Sequence, residues 1–186
     1  MINSVPLNIY GIRINHPVDW QVFVNPNSKF TFDEGLIKVD KVKGSQKAKA
    51  SLSIRWAKMV DDITLEEYVE ELEKQFKWKE KRSRRKDRYK IVSKSKIQMN
   101  GTEGCLLENE FVANHSIYRI FGKDELVKVL QVFFYSKETK RMVVASMSMS
   151  PEELKRNRDQ FVEILTTLHE DLNTGRTDYH PLRLAY

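Results

Sequence analysis

The sequence predicts an α+β fold, an antiparallel β-sheet meander with two amphipathic helices packed on it. Two capping boxes each precede apolar residues at helical spacing, and the second half of the chain alternates apolar and polar residues between turn signals. With 186 residues, 40% of them hydrophobic, the chain can bury one core. No repeat or Pro/Gly/Ser-rich linker divides it. We predict a single domain over residues 1–172 and a C-terminal tail at 173–186.

The N-terminal third of the chain predicts strands. Residues 7–14 and 20–24 are expected to form a strand pair around the turn NHPVD, with Pro17 and Asp19 as turn residues. Shorter strands are expected after this pair, near residues 29–32 and 35–41. The next segment, ASLSIRW, alternates cleanly, so it predicts a strand with one apolar face, formed by Leu52, Ile54 and Trp56.

The first helix begins at a capping box, in which Thr64 is followed three residues later by Glu67. The apolar residues that follow share one helical face: Leu65, Tyr68, Val69, Leu72 and Phe76. Glutamates occupy the N-terminal half of this segment and lysines the C-terminal half, an order that the helix dipole favours.

The segments after residue 88 predict an antiparallel meander. YKIVSKSKIQM and CLLENEFVA flank NGTEG, and Asn-Gly is a strong hairpin signal. HSIYRIF and LVKVLQVFFY are expected to pair through GKDE, and SKETK then leads into RMVVASMSM. Residues 126–135 are almost all apolar, which predicts a central strand covered on both faces.

The second helix is expected over residues 151–172. Ser150 and Glu153 form its capping box, and Pro151 stands at the first helical position. Its predicted buried stripe consists of Leu154, Phe161, Leu165, Leu168 and Leu172. The tail after it is expected either to pack back on the domain or to add a strand to a partner's sheet.

Two motifs in this order of elements resemble the PsbP-like superfamily. YGIRINHPVDWQVF is similar to the family's opening strand, Pro-x-x-Trp turn and second strand, with Pro17 and Trp20 as the key residues. KIQMNGTEGCLLENEF is similar to its Gly-x-x-Gly hairpin, here Gly101 and Gly104. Both motifs also have structural explanations, because Trp20 can anchor a corner of the core and glycines can supply positive φ.

The resemblance spans roughly residues 8–172. The family includes extrinsic PsbP proteins of photosystem II, a nuclear Ran-binding member, DcrB-type lipoproteins and adaptor chaperones for secreted effectors. This chain lacks the lipobox cysteine of the DcrB type, and residues 77–90 and the tail lie outside the family pattern. The resemblance implies a binding or adaptor role, without naming the partner.

Catalysis is not expected from the residue pattern. No histidine stands at metal-ligand spacing, no Gly-rich phosphate loop occurs, and we predict neither a metal nor a cofactor. Cys105 and His115 could be imagined as nucleophile and base, but Cys105 lies in the apolar run CLL and is better explained as a buried small residue. Glu108 and Glu110 are better explained as a surface ladder opposite lysines. We therefore expect a protein that is not an enzyme.

The cysteine content, the N-terminal residues and the apolar runs bear on the cellular compartment and on membrane insertion. One cysteine excludes an intramolecular disulfide, which suits a reducing compartment, and the N-terminal residues do not form a signal peptide. No apolar run approaches the roughly 18 residues that a membrane-spanning helix needs. We expect a cytoplasmic protein. Its oligomeric state is not predicted.

The most distinctive segment is KWKEKRSRRKDRYK, residues 77–90. It holds nine Lys or Arg and two acidic residues, a net charge of +7, against +6 for the whole chain. Dipole electrostatics at a helix end account for about three of these charges, Lys77, Lys79 and Lys81. The rest are expected in a loop, and Lys90, Lys94 and Lys96 are expected to continue them along one strand face.

These residues form the candidate partner- or anion-binding site: Trp78, Arg82, Arg84, Arg85, Lys86, Arg88, Tyr89, Lys90, Lys94 and Lys96. Arginines suit bidentate contacts to carboxylates or phosphates, and the two aromatic residues could offer stacking surfaces. Four interpretations stay open at this stage: a merely solvated run, an acidic protein partner, nucleic acid, or an anionic membrane surface. The first function hypothesis is a protein-docking adaptor, and the alternative is binding of an anionic polymer such as nucleic acid through the 77–96 basic stripe.

Overall fold

The computed structural model describes residues 3–25, 29–41, 50–82, 88–114 and 124–171. In this part of the chain, ten strands form two antiparallel sheets, and two helices pack against the larger one. The strands are β1 (Ser4–Ile9), β2 (Ile12–Pro17), β3 (Trp20–Val24), β4 (Glu34–Lys41), β5 (Ala50–Lys58), β6 (Tyr89–Met99), β7 (Thr102–Asn114), β8 (Asp124–Ser136), β9 (Arg141–Met149) and β10 (His169–Glu170). The helices are α1 (Leu65–Arg82) and α2 (Pro151–Thr166). The predicted α+β architecture is confirmed.

The larger sheet has seven strands in the order β3-β4-β5-β9-β8-β7-β6, and the smaller sheet has three in the order β1-β2-β10. A large core fills the space between α2, β2 and one face of the larger sheet, with Leu52, Leu130 and Phe161 among its members. A small core lies on the other face, where Val69 of α1 contacts Cys105 and its neighbours. Strand β8 contributes to both cores, so the prediction of a central strand covered on both faces is confirmed.

The predicted pairing of the first two strands is wrong. The segment 7–14 is interrupted at Tyr10 and Gly11, both with positive φ (51° and 79°), so the chain turns back and β1 pairs with β2. Strand β3 pairs with β4 in the larger sheet instead of with β2. The turn between Pro17 and Trp20 therefore passes the chain from one sheet to the other, and Trp20 packs against the large core.

The segment 29–32 is not a strand. It serves as a capping loop at the edge of the large core, where the Thr31 carbonyl accepts a hydrogen bond from Trp56 Nε1 at 2.9 Å. Phe30 packs against Tyr10 and Trp56, with ring centroids 5.3 and 5.6 Å apart. The alternation predicted for ASLSIRW is confirmed, because Leu52, Ile54 and Trp56 are all buried.

The meander after residue 88 is confirmed from β6 to β9, with the Asn-Gly turn at its first hairpin. Asn100 and Gly101 both have positive φ, as a tight hairpin requires. Gly104 has another role, because a Cβ there would lie 2.3 Å from Met99 Cε and 2.9 Å from the Phe133 carbonyl oxygen. The predicted strand HSIYRIF lies outside the described residues. Its predicted partner β8 instead pairs with β7 on one side and β9 on the other.

The capping box of α1 is confirmed in both directions, whereas at α2 only the N-cap half of the predicted box is confirmed, because the Glu153 carboxylate accepts a hydrogen bond from Asn157 instead. Glu67 N donates to Thr64 Oγ1 at 3.2 Å while Thr64 N donates to Glu67 Oε2 at 2.8 Å. Glu153 N donates to Ser150 Oγ at 3.2 Å. Neither helix has an apolar stretch long enough to cross a membrane, within the part of the chain that the structure describes.

Helix α2 ends earlier than predicted, at Thr166. Thr167 N and Leu168 N close its last turn on the carbonyls of Ile164 and Leu165, and the chain then enters β10. Leu168 is buried as expected, although it lies beyond the helix. Leu172 and the tail lie outside the described residues.

Candidate docking surface at the end of the first helix

An exposed tryptophan stands near the C-terminal end of α1. The Trp78 side chain is 55% exposed. Its neighbours on the helix surface, three and four residues away, are Lys74, Gln75, Lys81 and Arg82. The Arg82 guanidinium carbon lies 4.4 Å from the Trp78 ring centroid, a cation–π contact. Lys77 borders the same surface, because it stands three residues from Lys74 and four from Lys81. We call the set Lys74, Lys77, Trp78, Lys81 and Arg82 the Trp78 surface.

The cations of this surface are largely free of carboxylates. Lys74 lies 3.9 Å from Glu71, and both side chains are more than half exposed, so this pair contributes little. Lys77, Lys81 and Arg82 form no ion pair with any of the residues that the structure describes. Lys81 and Arg82 lie in the last helical turn, where the dipole stabilises positive charge. Their charge therefore remains available to an incoming anionic group.

Aromatic stacking fixes the end of α1 on the sheet. Tyr89, the first residue of β6, stacks against Phe76 with centroids 5.2 Å apart and ring planes 10° apart. It also stacks against Phe111 of β7 at 5.8 Å. Glu80 Oε1 accepts a hydrogen bond from Tyr89 N at 2.7 Å. The expectation that Tyr89 offers a free stacking surface is therefore wrong, since its ring packs within the protein.

The arginine-rich run is only partly described. The helix extends through Arg82, one residue further than predicted, so its charge also lies at the helix end and not in a loop. Arg84, Arg85 and Lys86 lie outside the described residues, and their role stays a prediction. Arg88 is exposed, and its carbonyl accepts a hydrogen bond from Val112 N at 3.3 Å.

The basic stripe predicted along β6 does not lie on one face. A β-bulge between Ile91 and Ser93 shifts the register. Residues directly opposite in an antiparallel pair lie on the same face. Lys90 stands opposite Glu110, whereas Lys94 and Lys96 stand opposite Leu107 and Cys105, which face α1. An added residue reverses the direction of every side chain beyond it, so the even spacing of Lys90, Lys94 and Lys96 no longer places them on one face.

Lys96 is also neutralised locally. Its Nζ lies 2.8 Å from Glu66 Oε1 and 3.3 Å from Glu103 Oε1. The hydrogen bond from Lys96 lowers the pKa of Glu66, and the same contact raises the pKa of Lys96. Lys90 and Lys94 form no ion pair within 4.0 Å among the described residues. The strand as a whole offers less free charge than the sequence suggests.

The lysines of β6 have a structural explanation. This strand forms one edge of the larger sheet, opposite β3. Edge strands are commonly protected from pairing with other chains by lysines and by bulges. Strand β6 has both devices. The sequence contained the lysines but gave no signal of the bulge, because their even spacing is compatible with a regular strand.

Three of the candidate catalytic groups, Cys105, Glu108 and Glu110, have structural contacts. Cys105 is buried in the small core, where burial raises the pKa of its thiol and keeps it protonated. Glu110 forms an ion pair with Lys128, which lowers the pKa of the Glu110 carboxyl through a hydrogen bond. Arg158 of α2 lies 3.5 Å from Glu108. His115 lies outside the described residues. Within the described ranges, no cluster of three metal-ligating side chains occurs.

The fold matches solved structures at low sequence identity. Cyanobacterial PsbP (CyanoP) from Synechocystis superposes with a TM-score of 0.65 and 10% identity, covering 91% of this chain and 94% of that one. The Saccharomyces cerevisiae Ran-binding protein Mog1p gives a TM-score of 0.59 and 12% identity, covering 91% and 96%. A Pseudomonas aeruginosa protein of unknown function, PA94, gives 0.52 and 15%, covering 90% and 96%.

No family model matches this sequence, and a comparison with curated proteins gives no match. The structural matches cover nearly the whole of each chain, so the likeness extends well beyond one hairpin. The protein therefore has the PsbP-like fold that its Pro-x-x-Trp and Gly-x-x-Gly motifs predict.

Proposed function

We propose that this protein is a binding or adaptor protein without catalytic activity, which docks to an acidic surface of a partner protein through the Trp78 surface. One observation carries the proposal: a tryptophan that is more than half exposed stands among cations with few carboxylate partners. Tryptophan and arginine are the residues most often found at the energetic centres of protein interfaces.

A merely solvated charge run explains the tryptophan poorly. Lysines and arginines at a helix end need only water and the helix dipole. A large aromatic ring on the same face adds apolar surface that water does not favour. Binding a partner would bury that ring, while the surrounding cations would steer an acidic surface towards it.

Nucleic acid is the weaker alternative. Binding along a strand of nucleic acid favours a continuous basic groove with free aromatic faces. The bulge in β6 divides the predicted stripe between two faces, and Tyr89 is stacked between Phe76 and Phe111. The shared fold with Mog1p, a Ran-binding protein, adds modest support for a protein partner.

The test combines affinity capture from the native cell with direct titrations. We expect Trp78→Ala and Arg82→Glu each to reduce capture of the same partner, while Lys38→Glu, a charge change on an exposed residue of β4, leaves it intact. Reversal of Arg82, Arg84, Arg85 and Arg88 to Glu should abolish it. An unchanged capture profile in these variants would overturn the proposal.

Fluorescence anisotropy with labelled oligonucleotides separates the two functions. Single-stranded and duplex probes are titrated at low and moderate salt, with an acidic polyglutamate peptide as the comparison. Binding of oligonucleotides that falls steeply with salt and is lost in Arg82→Glu would favour the alternative. We expect weak or no oligonucleotide binding.

A further inference from the structure

Three of the four sheet edges in the described residues carry protection against pairing with another chain. Strand β6 has a bulge and lysines, and β1 contains Pro6, which lacks a backbone N–H. Strand β10 is only two residues long. Short length, proline, lysine and bulges are the usual devices by which edges avoid association. The fourth edge, β3, contains no proline, no lysine and no bulge.

Strand β3 carries no charge, and apart from Gln21 its exposed side chains are apolar. Its sequence is WQVFV, and it forms the outer strand of the larger sheet beside β4. Val22, Phe23 and Val24 are 38%, 48% and 44% exposed, and Val18 in the preceding turn is 58% exposed. An apolar edge of this kind is the arrangement that accepts another strand.

We propose that β3 pairs antiparallel with β3 of a second copy of this chain, so that the two larger sheets become continuous across a two-fold axis. Opposed residues must point to the same face, and all five residues find a partner only when Val22 stands opposite Val22 of the second copy. Trp20 then stands opposite Val24, and Gln21 opposite Phe23. No charge in the strand meets a like charge.

The same operation on the other edge is unfavourable. Pairing β6 with its own copy would bring lysines of two identical strands together, and the bulge would interrupt the register. Self-pairing is therefore specific to the β3 edge. The difference between β3 and β6 favours a second copy of this chain as the partner of β3, because an uncharged strand can pair with an identical strand without bringing like charges together.

The packing beneath β3 favours the pairing on both faces. Val22 and Val24 stand opposite Val39 and Ile37, which are fully buried in the large core. A strand from the second copy would extend the large core outward and cover the exposed side chains of Val22 and Val24. Phe23 lies on the other face, beside Lys38, and would gain Gln21 of the second copy as a neighbour.

The dimer would place its docking surfaces far apart. Six strand spacings of about 4.8 Å separate β3 from β6, roughly 29 Å. Helix α1 packs on the β6 side, so two Trp78 surfaces would lie at the outer ends of the continuous sheet. Neither Trp78 nor Arg82 takes part in the dimer contact, so this inference stands or fails independently of the proposed function.

Disulfide trapping tests the register. Directly opposite residues in antiparallel strands lie at Cα separations that a disulfide can bridge. We expect Val22→Cys to form a covalent dimer under mild oxidation, whereas the variant Val92→Cys, at a slightly more exposed valine on β6, stays monomeric. Cys105 is buried and serves as an unreactive background. No preferential trapping of Val22→Cys would overturn the proposal.

Light scattering across a wide range of protein concentration tests the association itself. Five paired residues bury less than the about 800 Å² per partner of a typical stable interface, so the dimer should dissociate on dilution. We expect Val22→Lys to remain monomeric with unchanged circular dichroism and melting temperature, and Val92→Lys to dimerise like the wild type. A wild type that is monomeric throughout, or that dimerises only after removal of residues 173–186, would overturn the proposal.

Discussion

Arg141 and Glu170 form a buried ion pair that joins the two sheets. Arg141 Nε donates to Glu170 Oε1 at 2.8 Å, and the two side chains are 0% and 5% exposed. The same guanidinium donates to the carbonyls of Phe32 at 2.9 Å and Tyr10 at 3.0 Å. Thr139 Oγ1 donates to the Glu170 carboxylate. The pair therefore connects the start of β9 with β10, the β1–β2 turn and the loop before β4.

Breaking this pair should destabilise the protein strongly. Arg141→Met leaves a buried carboxylate without its partner, which is expected to cost about 3–5 kcal/mol of unfolding free energy. Urea denaturation followed by circular dichroism measures it. The control Arg13→Met removes a partly exposed ion pair with Asp171, whose charged atoms lie 3.3 Å apart, and should cost less than about 1 kcal/mol. Equal effects of the two variants would contradict the prediction.

Substitution by alanine should lower the stability of the protein at Tyr89 but leave it almost unchanged at Trp78. Tyr89→Ala removes two ring contacts of about 1 kcal/mol each, so it should lower the unfolding free energy by about 2 kcal/mol. Trp78→Ala changes an exposed surface residue and should stay within about 0.5 kcal/mol of wild type. Thermal and urea unfolding compare them. A large loss of stability in Trp78→Ala would mean that the ring packs within the protein.

Retention on heparin should distinguish free from neutralised cations. Arg82→Gln and Lys96→Gln remove one positive charge each. We expect the Arg82→Gln variant to elute at a clearly lower salt concentration than the wild type, because Arg82 has no carboxylate partner among the described residues. Lys96→Gln should elute closer to wild type, because Glu66 and Glu103 already balance its charge. The reverse order of elution would refute this assignment of charge.

Tyr135 provides a prediction in the alkaline range. Its hydroxyl donates to Asp62 Oδ1 at 2.6 Å, and this hydrogen bond raises the pKa of Tyr135 to about 12. The neutral phenol is the form that donates, so the contact stabilises the fold fully below the ordinary tyrosine pKa. That contribution is lost as the pH rises through about 12. Carbon-labelled tyrosine NMR should show the pKa falling towards its ordinary value in Asp62→Ala, while Asp61→Ala leaves it unchanged.

The helix starts and the hairpins could be predicted because their signals are local. A capping box involves residues three apart, as in Thr64 and Glu67, and the Asn-Gly turn holds its own hairpin. Alternation in ASLSIRW depends only on the pleat of one strand. Two family motifs were sufficient to indicate the fold, which the structural matches confirm.

Strand partnership could not be predicted from neighbouring residues. Strand β2 pairs with β10 near the other end of the chain, through His169 opposite Arg13, and this contact ends α2 earlier than its apolar stripe suggests. The Tyr10–Gly11 turn interrupts the segment 7–14 that the sequence predicts as one strand, although an isolated glycine inside a strand pattern is a usable signal of an irregularity.

For the candidate site, the sequence by itself determined the composition: a tryptophan, a run of cations and a helix end that favours them. Only the tertiary structure decided which of these groups are free. It paired Lys96, stacked Tyr89 and turned Lys90 away from Lys94 and Lys96 by a bulge, and within the described residues it left β3 as a five-residue sheet edge without lysine, proline or a bulge. The physical reason is that charge neutralisation, burial and strand pairing depend on groups distant in the chain, whereas propensity and capping act within one turn.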